Sequence, residues 1–361
     1  MNNVELPAVA ALVAGLLLCL VGFVPFVAVS YRHRGGLTAG RTLAWVAAAI
    51  YAMALWAYTL LPLPAPGELR CVGKQLRPFA WVSDFFHYPH GPAQLIHNPV
   101  LLQVGLNVVL FLPLGFFIRL LAHRGVAAAL VTGFGTSLLI ELTQLTGVWG
   151  AYSCAYRLFD VDDLMVNTAG AVLGSLAALA VPSLRHHAWA APVSGVADRP
   201  APVTKSRRFV AMACDLLGCG LVATAVTTGL QAFQLYVEHV PAAELRSALA
   251  RAVGWLIAWC LEASVIVATG ASLGDHATQL RYRSLGKGPA TVPGEVGRCV
   301  ARVLGGMGGF CLLMLLPSGV FAWALAAVCV IAAVATRHGR GLPGLLGHQE
   351  LTDARGEPAG G

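Results

Sequence analysis

Charged residues are scarce in this sequence. Asp, Glu, Lys and Arg make up 11% of its 361 residues, against roughly 25% in soluble domains. Hydrophobic residues reach 57% even though the 40 glycines are not counted among them. Because so few charges cannot cover a water-exposed surface, the composition excludes soluble enzyme folds and predicts a protein that resides in a lipid bilayer.

The short motifs of metal and nucleophile chemistry are also missing. The sequence has no CxxC pair, no HExxH and no phosphate-binding glycine loop, so we expect neither a metal site nor a cofactor. No internal repeat is visible, which disfavours a transporter of the inverted-repeat type. The net charge of +7 comes from residues placed between apolar runs, where membrane proteins need them, so nucleic acid is not an expected partner.

Long apolar runs dominate what is present. A transmembrane helix needs about 20 apolar residues, and nine candidates lie at about 7–29, 42–63, 101–121, 126–147, 164–181, 209–233, 250–270, 303–316 and 319–336. The last two runs are short and are joined by Pro317-Ser318-Gly319. The predicted fold is therefore an all-α, polytopic integral membrane helical bundle with eight or nine transmembrane helices.

The positions of Lys and Arg predict an orientation. With the N-terminus outside, most of the 24 basic residues fall in cytoplasmic segments, as the positive-inside rule requires. We therefore predict an N-out/C-in, multi-pass protein of the cell membrane.

A Pro-rich polar stretch predicts a boundary between two modules. The expected organisation is an N-terminal helix with a basic turn, a four-helix domain, a cytoplasmic linker, a second membrane domain and a disordered tail. These segments cover 1–40, 41–181, 182–206, 207–347 and 348–361, respectively.

Two cysteines are set apart by this topology. Cys71 and Cys154 lie in predicted outer loops, on the oxidising side of the membrane. A disulfide between them would join the first outer loop to the second. The alternative is a pair of free thiols.

Three predicted spans each carry polar side chains on one helical face. Residues three, four or seven positions apart lie on one side of an α-helix. The residues are Gln103 and Asn107 on the third span, Ser137, Glu141 and Gln144 on the fourth, and Asp163, Asn167, Gly170 and Gly174 on the fifth. Because polar groups within a bilayer are costly, we expect these faces to point into the bundle.

In the predicted orientation the three polar faces meet at the outer leaflet. At 1.5 Å per residue, Asn107 and Glu141 each lie about 9 Å below the outer surface. The preceding loop adds Arg157, Asp160, Asp162 and Asp163, and we expect Arg157 to be the partner of Glu141. A polar pocket at headgroup depth suits an amphiphile with a polar head.

Two interpretations of these side chains stay open. In the first, they bind a ligand, and the binding residues are Asn107, Glu141, Gln144, Arg157, Asp160, Asp163 and Asn167. In the second, the same groups are interhelical hydrogen-bonding partners, or helix caps in the loop, with no ligand.

Small residues on the fifth span predict close helix packing. Gly170 and Gly174 form a GxxxG motif on the face of Asn167, and such motifs let helix backbones approach each other. Pro113, followed by Gly115, is expected to kink the third span.

These residues also carry a family resemblance. Asn107-Val-Val-Leu-Phe-Leu-Pro-Leu-Gly115, Glu141-Leu-Thr-Gln144, Arg157-Leu-Phe-Asp-Val-Asp-Asp163 and Asn167-Thr-Ala-Gly170 follow one another along the chain. In order and spacing, the segment 41–181 resembles the VanZ-like family. The resemblance implies a bacterial cell-membrane protein linked to the cell envelope, and the founding member of the family confers teicoplanin resistance. It supplies no catalytic residues.

The second half is similar to the RDD family of small membrane domains. The similarity rests on Arg208-Phe-Val-Ala-Met-Ala-Cys-Asp215, on Ala271-Ser-Leu-Gly-Asp-His and on Arg340-Gly-Leu-Pro-Gly-Leu-Leu-Gly347. Asp275 stands where that family usually has lysine, and Gly344 where it has aspartate. We interpret the half as a degenerate copy in which Arg208 and Asp215 form a structural charge pair.

Three functions are compatible with these features. The favoured one is non-enzymatic: binding or screening of an envelope lipid, such as a lipid-linked cell-wall precursor, at the outer leaflet. The alternative is an enzyme acting on a lipid headgroup, with Glu141 or Asp163 as general base and Arg157 steadying an anion. Transport of a small solute or ion comes third, because the midplanes of the three spans are apolar. A second copy of the chain or an envelope protein stays open as a further partner.

Overall fold

The computed structural model describes residues 5–64, 69–88, 97–181, 200–285, 292–336 and 339–355. Within these residues helices dominate, and the two small sheets have two strands each. The all-α prediction is therefore confirmed. The chain forms two units: the first unit comprises residues 1–19 and 38–191, and the second unit comprises residues 20–37 and 192–361.

The first unit contains all three helices that carry the polar faces. After α1 (Glu5–Arg34), which contributes to both units, come α2 (Ala39–Leu60), β1 (Lys74–Gln75), α3 (Ala80–Phe85), α4 (Pro99–Ala122), α5 (Val126–Leu145), α6 (Gly147–Gly150), β2 (Phe159–Asp160) and α7 (Val161–Ala177). The third, fourth and fifth predicted spans are α4, α5 and α7.

The second unit contains further long helices and a β-hairpin. Its elements are α8 (Lys205–Tyr236), α9 (Ser247–Thr269), α10 (Leu273–Ala277), β3 (Leu280–Ser284), α11 (Val292–Leu304), α12 (Met307–Leu313), α13 (Val320–Ala335), α14 (Gly341–Leu346) and β4 (Gln349–Asp353). Strands β3 and β4 pair antiparallel, with Tyr282 opposite Leu351.

Seven helices in the described ranges are long and apolar enough to cross a membrane. They are α1, α2, α4, α5, α7, α8 and α9. The predicted run 303–316 is not one straight helix, because α11 and α12 meet at an angle of 58° around Gly305-Gly306. Counting that bent pair as one span gives eight, and α13 is a shorter apolar helix. The N-out/C-in orientation stays a prediction.

The N-terminus of α4 follows from its sequence. The side chain of Asn98 caps the N-terminus by accepting hydrogen bonds from the backbone N–H groups of Val100 and Leu101, at 3.0 and 3.4 Å, and Pro99 occupies the first turn, where a missing N–H costs nothing. The helix continues past Pro113. One turn earlier, Tyr51 donates from its hydroxyl to the carbonyl of Leu110 at 2.7 Å.

The predicted polar segments are the tail, 348–361, and the linker, 182–206. The predicted disordered tail, 348–361, is wrong for residues 349–353, which form β4 because Leu351 is buried in the hairpin core and Asp353 is held by arginines. Residues 356–361 lie outside the described residues. Of the predicted linker, 182–199 also lie outside them, and α8 begins at Lys205.

Candidate functional site in the first unit

Polar side chains gather where α4 and α7 begin and α5 ends. We call this group, formed by Asn107, Ser137, Glu141, Asp160, Asp162, Asp163 and Asn167, the polar cluster. Its members come from three helices and the loop that leads into α7. The sequence pattern predicted that these faces would meet, and the structure brings them together.

Asn107 and Asp163 form the most open part of the polar cluster. Asn107 on α4 donates from Nδ2 to Oδ1 of Asp163 at 2.6 Å, and both residues are half-buried. The neighbouring side chain on the same face of α4, Gln103, is exposed. This part of the cluster can therefore meet a ligand without unfolding.

Asn167 lies deeper, between α7 and α5. Its side chain, 6% exposed, donates from Nδ2 to Oγ of the fully buried Ser137 at 2.9 Å. Its Oδ1 is buried and has no hydrogen-bond partner among the described residues. An amide oxygen left in this way costs free energy, so one acceptor in the interior of the cluster is available to a donor.

Glu141 is held by the backbone, not by an arginine. The residue is 3% exposed, and its Oε2 accepts a hydrogen bond from the backbone N–H of Asp160 at 3.1 Å. The expected partner, Arg157, is exposed and donates from Nη2 to the carbonyl of Leu61 at 3.5 Å. The predicted Glu141–Arg157 pair is therefore wrong: Glu141 binds the backbone of β2, and Arg157 binds the backbone just after α2.

Gln144 does not join the polar cluster. Its side chain donates from Nε2 to the carbonyl of Thr59 at 2.7 Å, near the end of α2. The residue is buried at 5% exposure. Gln144 therefore ties α5 to α2, as the interhelical interpretation predicts, and it is not placed to contact a ligand.

Asp160 caps the N-terminus of α7. Its Oδ1 accepts a hydrogen bond from the backbone N–H of Asp162 at 2.8 Å. Burial raises the pKa of Asp160 above its ordinary value of 3.8, and the nearby charge of Asp162 adds to the rise, although hydrogen bonds from the Asp162 backbone and Gln75 oppose it. The capping role was one of the two open interpretations.

Asp162 fixes the segment that contains Phe79 and Trp81 next to the polar cluster. Its carboxylate is buried and accepts from the backbone N–H groups of Phe79 and Trp81, at 2.6 and 3.1 Å. Sequence reasoning placed this residue among the loop acids but not among the binding residues. Asp162 and its partners lie more than 80 positions apart in the sequence. The spacing of residues along one helix cannot predict a contact over that distance.

The same segment is joined to the chain in two further places. Cys71 and Cys154, the pair singled out by their outer-loop positions, form a disulfide. Beside it, β1 pairs parallel with β2, so that Gln75 lies opposite Asp160. Gln75 donates from Nε2 to Oδ1 of Asp160 at 3.3 Å. Residues 69–88 thus cover the entry to α7.

Glycines bring α4 and α7 into backbone contact. A Cβ atom at Gly170 would meet the backbone of Val108, at Gly174 that of Leu112, and at Gly115 that of Ala171. The GxxxG face therefore packs against α4, as small residues permit. This close approach sets Asn107 and Asp163 side by side.

The acids of the polar cluster are not joined to a cation within the described residues. In the described part of the chain none of Glu141, Asp160, Asp162 and Asp163 forms an ion pair. The described residues contain no group of three or more His, Cys, Asp or Glu side chains arranged to hold a metal ion. The site is thus rich in hydrogen-bond acceptors.

The charge pair expected in the second unit is rearranged. Arg208 donates from Nη1 to Oδ1 of Asp275 at 2.5 Å, and not to Asp215 as predicted. Asp215 instead accepts from the Ser272 hydroxyl at 2.8 Å and from the backbone N–H of Gly274. The spacing along α8 places Arg208 and Asp215 two turns apart, and the short helix α10 supplies nearer partners for both.

The apolar helices and the polar cluster are those of a helical membrane protein whose first unit gathers acids and amides at one end of its helices. Compared with known families, residues 48–182 match the family model described as VanZ/LLP1. The matched region contains the second half of α2, the elements from β1 to α7 and the whole polar cluster. No curated protein and no solved structure matches the chain. The family match does not extend to the second unit.

Proposed function

We propose that the first unit binds an envelope lipid by its headgroup at the polar cluster. The observation that carries the proposal is the half-buried Asn107–Asp163 pair, in which a carboxylate without a cation lies at the rim of a buried polar group. A ligand at this rim would extend inward towards the unpartnered Oδ1 of Asn167.

An apolar face beside the pair suits the tail of such a ligand. On α4, Leu102, Leu106 and Val109 are 48%, 66% and 63% exposed, and positions spaced by four and three residues share one side of a helix. A lipid tail along this side would place its head near Asn107. This combination of an apolar face and a polar end is what an amphiphile requires.

The chemistry of the cluster favours headgroups that donate hydrogen bonds. Ionised carboxylates accept hydrogen bonds only, so the amines or sugar hydroxyls of a headgroup fit the polar cluster, whereas its phosphate groups do not. Lipid-linked cell-wall precursors carry sugar hydroxyls, and aminophospholipids carry an amine. In the predicted N-out orientation this end of the helices lies at the outer leaflet of the bacterial cell membrane, where a bound precursor would be screened from teicoplanin-type antibiotics.

The test compares lipids that remain with the purified protein. Full-length protein is isolated in mild detergent, and its lipids are extracted and identified by mass spectrometry. The informative variant is Asp163→Asn, which preserves shape and removes the charge. The matched control is Asp84→Asn, an exposed acid on α3.

The proposal predicts one lipid class, enriched over bulk lipid in wild type and in Asp84→Asn, that is depleted in Asp163→Asn. The same lipid profile in all three proteins would contradict it and leave the cluster as interhelical hydrogen bonding. Teicoplanin susceptibility of cells that express the same three proteins separates the role in resistance from lipid binding itself.

The resemblance of the second unit to the RDD family is also a proposal. Asp275, which replaces the usual lysine, is the residue that pairs with Arg208. The residue that departs from the family pattern is therefore paired within the protein. This pairing supports a structural role for Arg208 and Asp275 rather than a role in ion transport.

A further inference from the structure

A cavity of about 480 Å³ lies within the second unit, between α8, α12, α13 and α14. Its size falls within the range of small-molecule sites, roughly 300–1,000 Å³. The walls are mainly apolar and include Phe209, Leu216, Met307, Phe310, Trp323 and Val330.

The cavity has one polar end. Arg208, in the first turns of α8, lines it and is 6% exposed. The guanidinium binds Asp275 through Nη1, but its Nε is buried and has no hydrogen-bond partner among the described residues. Asp215, an acid that also lines the cavity, accepts hydrogen bonds from Ser272 and Gly274. Arg208 Nε is thus the donor that this end offers.

The opposite end is apolar and reaches the surface. Leu216 lies two turns beyond Arg208 on α8, about 12 Å along the axis. Trp323 packs edge-on against Phe310, with ring centroids 5.4 Å apart, and is itself 57% exposed. The cavity is therefore elongated, with a buried donor at one end and an aromatic opening at the other.

We propose that this cavity binds an alkyl chain with a carboxylate or carbonyl oxygen at one end. The oxygen accepts a hydrogen bond from Arg208 Nε, and the chain runs along α13 towards Trp323. A free fatty acid and the ester of a phospholipid acyl chain share this chemistry. The inference concerns the second unit and does not rest on the function proposed for the first.

Hydrogen bonding favours an oxygen acceptor over a trimethylammonium head. The ammonium head has no acceptor atom, so it would leave Nε without a partner. A carbonyl or carboxylate oxygen completes the hydrogen bonding of this buried donor, which has no partner among the described residues.

The experiment measures binding of dodecanoate to the full-length protein in a steroid-based detergent without alkyl chains. Isothermal titration is run on wild type, on Ala326→Trp, which fills the cavity, and on Ala324→Trp, an exposed neighbour on α13 that does not line it. Dodecyltrimethylammonium serves as a probe with the same chain and no acceptor oxygen.

We expect saturable binding of dodecanoate by wild type and Ala324→Trp, and none by Ala326→Trp or with the ammonium probe. Arg208→Lys keeps a positive charge for Asp275 and removes Nε, so affinity should fall roughly tenfold or more. Equal binding by Ala326→Trp, or no saturable binding by wild type, would overturn the proposal. The result with Ala326→Trp decides even if Arg208→Lys does not fold.

Mass spectrometry of the lipid released from unfolded protein then distinguishes the two sources. A fatty acid or a phospholipid present in wild type and missing from Ala326→Trp supports the proposal and names the source. A lipid content that Ala326→Trp leaves unchanged contradicts it.

Discussion

In the second unit, buried arginines face buried aspartates, whereas in the first unit the buried carboxylates face amides and backbone N–H groups. Arg207 binds Asp353 at 2.7 Å and Arg208 binds Asp275 at 2.5 Å. Glu141 and Asp163, by contrast, accept from a backbone N–H and from Asn107. Two aspartates of the second unit are therefore paired with arginines, whereas no acid of the polar cluster forms an ion pair among the described residues.

The two units also differ in how distant segments are joined. The first unit uses a disulfide between Cys71 and Cys154 and glycine-mediated contact between α4 and α7. The second unit closes its hairpin with ion pairs from Arg207 and Arg355 to Asp353. Ion pairs serve stability when both partners are present, and they leave a costly charge when one is removed.

The largest expected effect comes from the disulfide of the first unit. Replacing both cysteines by serine opens a loop whose ends are 83 residues apart, which should lower the free energy of unfolding by about 4–5 kcal/mol on loop entropy. Tryptophan fluorescence during denaturation in detergent measures it. Cys260→Ser, at an exposed free cysteine, is the control. Unchanged stability of the double variant would refute this assignment.

Breaking the charge network of the second unit should cost nearly as much. Arg207→Ala leaves Asp353 buried with one cation fewer and removes hydrogen bonds to the carbonyls of Thr278 and Gln279. We expect a loss of about 3–5 kcal/mol. Lys205→Ala, at an exposed position in the same turn, should change stability by no more than about 0.5 kcal/mol. Similar thermal shifts for both variants would argue against the network.

Helix packing in the first unit predicts a smaller effect. Gly174→Ala places a Cβ against the backbone of Leu112 and should cost about 1–3 kcal/mol. Gly135→Ala, on α5 with open space around it, should instead stabilise by up to about 1 kcal/mol. Chemical denaturation distinguishes the signs. A stabilising effect at both sites would mean that α4 and α7 are not in backbone contact.

Acid should act on the two units in opposite directions. Burial would raise the pKa of Asp353, but hydrogen bonds from Arg355 and Arg207 hold it well below its ordinary value of 3.8. Its contribution to stability is therefore complete above pH 3.8 and fades as the pH falls further. Asp160 has a raised pKa, so its ionisation opposes folding as the pH rises through and above 3.8.

The measurement is the pH dependence of unfolding for Asp160→Asn and Asp353→Asn. Asp160→Asn, which keeps the cap, should be more stable than wild type at neutral pH, and the gain should vanish in acid. Asp353→Asn should be less stable at neutral pH and approach wild type in acid. The same sign for both variants would contradict the comparison between the units.

Sequence periodicity predicted much of this architecture, because a helical face can be read from spacing. The polar faces of α4, α5 and α7 and the GxxxG face follow from such spacing, with Asn107 and Asn167 at the positions expected. Long-range partners do not follow from it. Glu141 binds the backbone of Asp160, and Arg208 binds Asp275. Loops and short helices bring these groups together, and the spacing of residues along one helix does not predict such contacts.

The β-hairpin and the cavity of the second unit could not be predicted from the spacing of residues either. From the sequence, the five residues of β4 belong to a polar tail. They form a strand because Leu351 is buried and arginines bind Asp353. The neighbours of Leu351 in the hairpin core and Arg207, one of these arginines, lie far away in the sequence. The cavity beside Arg208 depends on the bend between α11 and α12 and on the position of α13, which are tertiary features.

Native mass spectrometry of the full-length protein tests whether the polar cluster holds a lipid. We expect wild type and Asp84→Asn to carry a lipid adduct. We expect Asp163→Asn to lose it while its circular dichroism spectrum stays that of a folded helical protein. An adduct of the same mass and occupancy on Asp163→Asn would contradict the proposal that the acids of the first unit bind a lipid headgroup.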